Sequence, residues 1–492
     1  MLSRVLAAAA RHRTPWVLGL SGAALLLTVA WIGRESLWLD ESFSHAMATT
    51  SWRRFIDLMV GWEGIMGPYY ALLRGWVALL GESEVALRSL SVLFAVAAVP
   101  LTFHVSERLV GRRTAVLATM LLVVNAFFIQ YAQEARGYSM VVALVLAATA
   151  LFVRAVTRPS WPVWGAYVGV TAIAVYTHFF AALVIVAHAL SIAFLRPEDR
   201  PPRRMLVASA LGIAILLAPL AVFVATTTNT RDWIAVPSLR TLVSVGAAMV
   251  GGRSGPVEIA LMLVYAGVAA VGVAAIWRVW RTEGRSTASW RHALVFGWLA
   301  VPVAGAALAS LVKPIFVIRY FIVALPGLLI IAAMGIREIR RGWLAGVALL
   351  ALLGLSGHQV GMLYSTLDRE DWRGAARHVL AHSRPGDGIV FNWPQSRRPF
   401  GYQVDRASRG GAPRPVLASF DWIGTDPTKG DEVDLQRLAR AVGAYDRVWL
   451  VLARGGQTDR WVRGVLATDL HRRDVAHVPS VVIELYARDA GG

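Results

Sequence analysis

The pair Asp40-Glu41, within Leu37-Trp38-Leu39-Asp40-Glu41-Ser42, falls just past an apolar stretch that ends near residue 33. A carboxylate beside apolar Leu39 and Phe43 can be partly desolvated, which raises its pKa toward the range where it takes a proton from a hydroxyl. The plain alternative is a pair of solvated loop charges. A second polar group, Gln130-Tyr131-Ala132-Gln133-Glu134-Ala135-Arg136-Gly137-Tyr138, divides two apolar stretches. The planar fork of Arg136 suits a phosphate, and tyrosines beside it suit an isoprenoid or a sugar; the competing reading pairs Arg136 with Glu134 or with a lipid phosphate. Lys313, Arg319 and Tyr320 form a third group of the same character. Convergence of the three groups would make a site for one anionic ligand.

Lone polar residues say less. His178, in Thr177-His178-Phe179-Phe180, is a candidate for a sugar contact or a metal ligand, against simple packing at a helix turn. His104 and His188 lie in apolar stretches, where a backbone carbonyl ordinarily satisfies them. Tyr69 and Tyr70 are candidates for substrate contact, but with Trp52, Trp62 and Trp76 they equally suit anchoring at a membrane interface. No His-Glu-x-x-His spacing occurs, and Asp40 with Glu41 is too small a ligand set to define a metal site.

The elements that must position these groups are membrane spans. Of the 492 residues, 56% are hydrophobic and 16% charged, and the mean hydropathy is +0.54, the composition of a polytopic membrane protein. The formal charge of +18 comes from arginines in short groups between apolar runs, not from a continuous basic face for nucleic acid. The absence of cysteine excludes disulfides and thiolate chemistry. Spans of about 20 residues are expected near 15–33, 86–107, 114–130, 138–156, 163–179, 180–195, 205–225, 257–277, 293–311, 320–336 and 343–363. Arginine recurs in alternate links, at Arg4, Arg11, Arg13, Arg108, Arg112, Arg113, Arg154, Arg158, 196–204, 278–291 and 337–341, so these links face the cytoplasm. The N-terminus is then cytoplasmic, and the 36–88 loop and everything beyond about 364 face outward. Arg136, Lys313 and Arg319 fall on the side that positive charge avoids.

Residues 364–492 read as a small α/β domain following a transmembrane domain over 1–363. Helical spacing over 371–380, 435–442 and 461–470 alternates with strand-like runs at Ile389-Val390-Phe391, 447–452 and 481–486. The Gly-, Pro- and Arg-rich stretch 396–429 reads as loop.

Taken together, Trp38-Leu39-Asp40-Glu41, Gly67-Pro68-Tyr69-Tyr70-Ala71-Leu72-Leu73, Ser83-Glu84-Val85-Ala86-Leu87-Arg88, Tyr131 to Tyr138 and Arg319-Tyr320 resemble the GT-C membrane glycosyltransferases. The nearest likeness is to bacterial members of the family of protein O-mannosyltransferases and lipid A aminoarabinose transferases. Asp371-Trp372-Arg373 and Gly386-Asp387 resemble the start of the outward C-terminal domain of many such proteins. The resemblance implies a plasma-membrane enzyme with a GT-C-like helical fold. It would transfer a sugar, mannose first, from a polyprenyl-phosphate donor to a lipid, polysaccharide or protein acceptor, with inversion. It makes Asp40 the general base, with Glu41 assisting or holding a divalent cation in members that use one. Arg136 and Arg319, with Lys313, would bind the donor phosphate; Tyr69, Tyr70, Glu134, Tyr138, His178 and Tyr320 would line the substrate site. One departure is Met66, where many relatives carry histidine. The rival reading is a transporter or flippase of lipid-linked sugars, but the conspicuous charges sit at span ends and no internal repeat is seen.

Overall fold

The structure, a computed structural model, describes residues 13–489 apart from 62–63, 227–233, 235–236, 254, 367–368, 408–413, 416–434 and 454–456. Arg4, Arg11 and Trp62 therefore lie outside the described residues, as does most of 408–429.

Each expected apolar stretch contains a helix. They are α1 (Arg13–Val29), α5 (Glu84–Val110), α6 (Arg112–Val123) with α7 (Ala126–Ala132), α8 (Tyr138–Thr157), α9 (Trp161–Thr177), α10 (Ala181–Ser191), α11 (Arg203–Thr226), α13 (Pro256–Glu283), α14 (Thr287–Ala309), α15 (Leu325–Glu338) and α16 (Gly342–Ser365). Among the described residues, seven apolar helical stretches are long enough to cross a membrane, the α15 span counted from Ile318; α6 and α7, bent by 61° at Val124-Asn125, make an eighth if taken as one span. α1, α10 and α12 (Leu239–Met249) are apolar but shorter. The chain is a multi-span membrane protein. Its main core runs through the bundle, where glycine lets backbones touch: a Cβ on Gly335 of α15 would lie 1.7 Å from the Val268 carbonyl oxygen of α13.

The 36–88 segment is itself helical, which the sequence reading did not foresee. It folds into α2 (Leu39–Thr49), α3 (Trp52–Gly61) and α4 (Gly67–Leu80) before α5 begins at Glu84. Asp40 and Glu41 favour the start of α2 because acidic side chains complement the exposed N–H groups of a first turn, and the Trp38 N–H donates to Glu41 Oε2 at 3.4 Å. α4 starts with Pro68 in its first turn, after Met66 in the left-handed region (φ 67°), its N–H donating to the Tyr176 carbonyl at 2.8 Å.

The C-terminal residues form a five-stranded sheet in the order β2-β1-β3-β5-β4, with β1 (Gly388–Phe391) parallel to β2 (Arg414–Pro415) and β3 (Arg447–Ala453). β5 (Val481–Ala487) lies antiparallel to β3 and β4 (His471–Val478). α17 (Trp372–His382), α19 (Leu435–Val442) and α20 (Gln457–Asp469) fall close to the expected helices. The reading of 396–429 as loop is corrected by α18 (Arg397–Arg406), whose Pro399, Phe400, Tyr402 and Gln403 are buried. The edge strand β4 was also missed: it pairs with β5 alone and is largely exposed, so its sequence carries no apolar alternation.

This α/β unit docks at the end of the bundle that carries Asp40. Ser36 Oγ donates to the Glu370 carbonyl at 2.9 Å and accepts from the Trp372 N–H at 3.0 Å. Tyr402 donates to the Glu82 carbonyl at 2.8 Å, Gln403 Nε2 donates to Glu84 Oε1 at 2.8 Å, and Arg373 pairs with Glu84.

Candidate active site

Asp40 and Glu41 are neighbours with opposite environments, because successive helix residues point about 100° apart. Glu41 is fully buried. Arg88, 2% exposed, donates to it from Nε and Nη2, both at 2.7 Å. Arg88 also donates to the carbonyls of Ile32, Glu35 and Ser36 at 2.7, 2.9 and 3.2 Å. The Ala135 N–H (2.9 Å) and Arg369 Nη1 (3.3 Å) complete the shell around Glu41. Burial would raise the Glu41 carboxyl, but Arg88, Arg369 and the Ala135 N–H outweigh it and hold the group below its ordinary value.

Asp40 instead remains 23% exposed and faces Arg319, 25% exposed, with Oδ2 to Nη2 at 3.6 Å. Arg136 reaches the same turn: its Nη1 donates to Tyr70 Oη at 2.8 Å and lies 3.5 Å from the Asp40 carbonyl oxygen. Tyr70 in turn donates to Met66 Sδ at 3.8 Å. Met66 is thus a buried support beneath the tyrosine that holds Arg136. Arg319 Nε is buried with no hydrogen-bond partner among the described residues. Carboxylate and guanidinium groups therefore share one partly open position at the first turn of α2, beside the turn between α7 and α8 and the segment that leads into α15.

An aromatic wall adjoins these charges. Tyr320 packs on His178, Phe179 and Phe180 at centroid distances of 4.7, 5.5 and 5.2 Å. Tyr138 stands between His178 (5.9 Å) and Tyr131 (4.9 Å). Tyr131, Tyr320, Arg136, Arg319 and Asp40 keep exposed surface. Tyr138 and His178 are buried behind them.

Several expected roles change on this geometry. Tyr69 and Tyr70 are placed with no exposed surface, behind the charges rather than facing the open position; Tyr69 bonds Ser91 Oγ at 2.9 Å, and Ser91 donates to the Arg136 carbonyl at 3.0 Å. They hold Arg136 from below. Lys313 is exposed and makes no side-chain ion pair or hydrogen bond with the cluster among the described residues. Glu134 is buried: Arg369 Nη2 donates to its Oε1 at 2.5 Å, while Oε2 has no partner among the described residues. Burial pushes its pKa up to about 7, Arg369 pulling against that shift and Glu41 adding to it.

A divalent cation does not fit these residues. Both Glu41 oxygens are taken by N–H donors, Asp40 faces a guanidinium, and among the described residues no three His, Asp or Glu side chains are grouped to ligate a metal.

Arg88, Arg369 and Trp38 are the residues that the sequence reading did not assign. Arg88 carried a signal, a positive charge at the end of an expected span that the arginine pattern reads as the outward one. Arg369 carried none; its position depends on the docked C-terminal unit.

Residues 64–225 match the family model described as dolichyl-phosphate-mannose-protein mannosyltransferase. Among solved structures, the chain is similar to ArnT from Cupriavidus metallidurans bound to undecaprenyl phosphate, at 12% identity and a TM-score of 0.61, covering 96% of this chain and 98% of that one. It is also similar to the Archaeoglobus fulgidus oligosaccharyltransferase in complex with Zn and sulfate (10% identity, TM-score 0.55, 88% and 67% covered). A third likeness is the mycobacterial arabinofuranosyltransferase AftD (16% identity, TM-score 0.52, 97% and 42% covered). No curated protein sequence matches the chain. The chain thus resembles the GT-C membrane glycosyltransferases, in fold over nearly its whole length and by family model over about a third of it.

Proposed function

We propose that this protein transfers a sugar from a polyprenyl-phosphate donor to an acceptor hydroxyl at the outer face of the plasma membrane, with inversion at the anomeric carbon. The single observation that carries the reading is the juxtaposition of the partly exposed Asp40 carboxylate with Arg319 and Arg136 at the end of the spans. Asp40 accepts the acceptor's proton as its oxygen attacks C1 of the sugar. The C1–O bond to phosphate breaks in the same displacement, and its electron pair leaves on the polyprenyl phosphate. Arg136 and Arg319 stabilise the charge that grows there; such preorganised donors act on the transition state more than on the ground state.

The aromatic wall of Tyr131 and Tyr320 supports binding of a sugar or the first isoprene units beside the phosphate. Mannose is the first choice because the matching family model is named for a mannose donor. The arginine-rich links support a cytoplasmic N-terminus, and the docked C-terminal unit, residues 364–492, then lies outside with Asp40.

The test is a reconstituted assay with polyprenyl-phosphate mannose, alongside pentose and amino-pentose donors. Asp40→Asn, nearly isosteric but unable to take the proton, should retain donor affinity and lose transfer by a factor of about 10² to 10⁴. Transfer by Asp40→Asn within a few-fold of wild type ends the assignment.

A further inference from the structure

We infer that Arg369, on the path from α16 into the C-terminal unit, is a positioning residue that holds the base and a phosphate-binding arginine in register; the inference rests on the reaction proposed above. Arg369 grips the first turn of α2 on both sides of Asp40. Its guanidinium lies 5.4 Å from the Trp38 ring centroid, and its Nη1 donates to Glu41 Oε2 at 3.3 Å. With Trp38 and Glu41 both held, the intervening Asp40 has little freedom to roll about the helix axis. The Arg319 guanidinium lies 5.9 Å from the same Trp38 ring, so the indole couples the cation that supports the turn to the cation that faces Asp40.

The other side of Arg369 reaches the turn that carries Arg136. Nη2 donates to Glu134 Oε1 at 2.5 Å, and the next residue, Ala135, donates its N–H to Glu41 Oε1 at 2.9 Å. Nε pairs with Glu35 Oε2 at 3.5 Å. One guanidinium thereby ties α2, the 133–137 turn and the exit of α1 together. The charges show why it is needed. Arg88 satisfies Glu41, whereas Glu134 has no other cation at hydrogen-bond distance among the described residues. The next residues fix where Arg369 stands, because Ser36 Oγ bonds the Glu370 carbonyl and the Trp372 N–H. Docking of the C-terminal unit is thus transmitted to the reacting groups through one side chain.

The experiment uses the full-length protein in nanodiscs as wild type, Arg369→Ala and Arg369→Lys, with Gln403→Ala as a docking variant that removes a bond to Glu84 and leaves Glu35, Asp40, Glu41 and Glu134 untouched. Transfer from polyprenyl-phosphate mannose gives kcat and KM, and hydrogen exchange of peptides spanning 36–44 and 131–138 reports the two turns without substrate. Arg369→Ala should lower kcat by about a hundredfold, the scale of an ångström misplacement, with KM within about threefold. Lysine should recover part of kcat, and Gln403→Ala should stay within about twofold of wild type. Exchange in both peptides should quicken by about tenfold in Arg369→Ala, with the C-terminal strands unchanged. Wild-type-like kcat and exchange in Arg369→Ala, or a loss expressed wholly in KM, overturns the inference. If wild type transfers sugar from neither the mannose donor nor the pentose and amino-pentose donors, the proposed reaction fails, and the exchange comparison still decides whether Arg369 holds the two turns.

Discussion

Replacing Glu41 by glutamine removes a charge from the most completely enclosed ion pair of the site while leaving the shape almost unchanged. Arg88, 2% exposed, would keep its bonds to the Ile32, Glu35 and Ser36 carbonyls but lose the one buried counter-charge it pairs with among the described residues. A buried charge stripped of its partner costs about 3 to 5 kcal/mol, much more than the 0 to 1 kcal/mol of an exposed pair. Arg88→Met should be somewhat milder, because Arg369 at 3.3 Å remains near the stranded Glu41. The double variant Glu41→Gln/Arg88→Met removes both charges and should recover stability relative to the sum of the single changes by about 0.5 to 3 kcal/mol. Equilibrium unfolding in mixed micelles on all four proteins measures each value and the coupling. A Glu41→Gln protein within about 1 kcal/mol of wild type would refute the reasoning and reopen a direct chemical role for Glu41. The contrast with Asp40→Asn is the diagnostic: that protein should be as stable as wild type and inactive.

Arg136→Ala and Arg319→Ala should each weaken binding of undecaprenyl phosphate by roughly 1.5 to 3 kcal/mol, with only partial rescue by lysine; unchanged affinity in both would place the phosphate elsewhere. Glu134, raised to about 7 from 4.5, binds its proton more tightly folded than unfolded, so its contribution makes stability fall as pH rises from about 4.5 to 7. Glu134→Gln should remove roughly 3 kcal/mol of that slope, and identical pH–stability curves for the two proteins would contradict the burial argument. The natural absence of cysteine allows single thiols to report sidedness: Ala444→Cys, at an exposed position of the C-terminal unit, should label from outside intact cells and Arg113→Cys should not. The reverse pattern would invert the orientation.

The sequence alone determined where the helices of the bundle lie, because a run of about 20 apolar residues is a local property that needs no partner to be recognised. It also gave β1, β3 and β5, whose runs are buried, and it singled out Asp40, Arg136 and Arg319 as charges at span ends. Residue type and spacing could not tell Asp40 from Glu41; only the family resemblance ranked them. One residue of rotation turns Glu41 into the core against Arg88 and leaves Asp40 facing Arg319, and that rotation is set by a residue 47 positions away. Tyr69 and Tyr70 likewise read as aromatic surface until packing removes them from it. The helices α2 to α4, short and of mixed polarity, and α18, with Pro399 and Gly401, form because they cover one another and the end of the bundle. Arg369 is the extreme case: nothing around it in the sequence marks it, and it meets Glu35, Glu41 and Glu134 only once α16 and the docked C-terminal unit bring it there. Hydropathy is written residue by residue, whereas the pairing of buried charges is a property of distant segments brought within about 3 Å, and only the tertiary structure decides it.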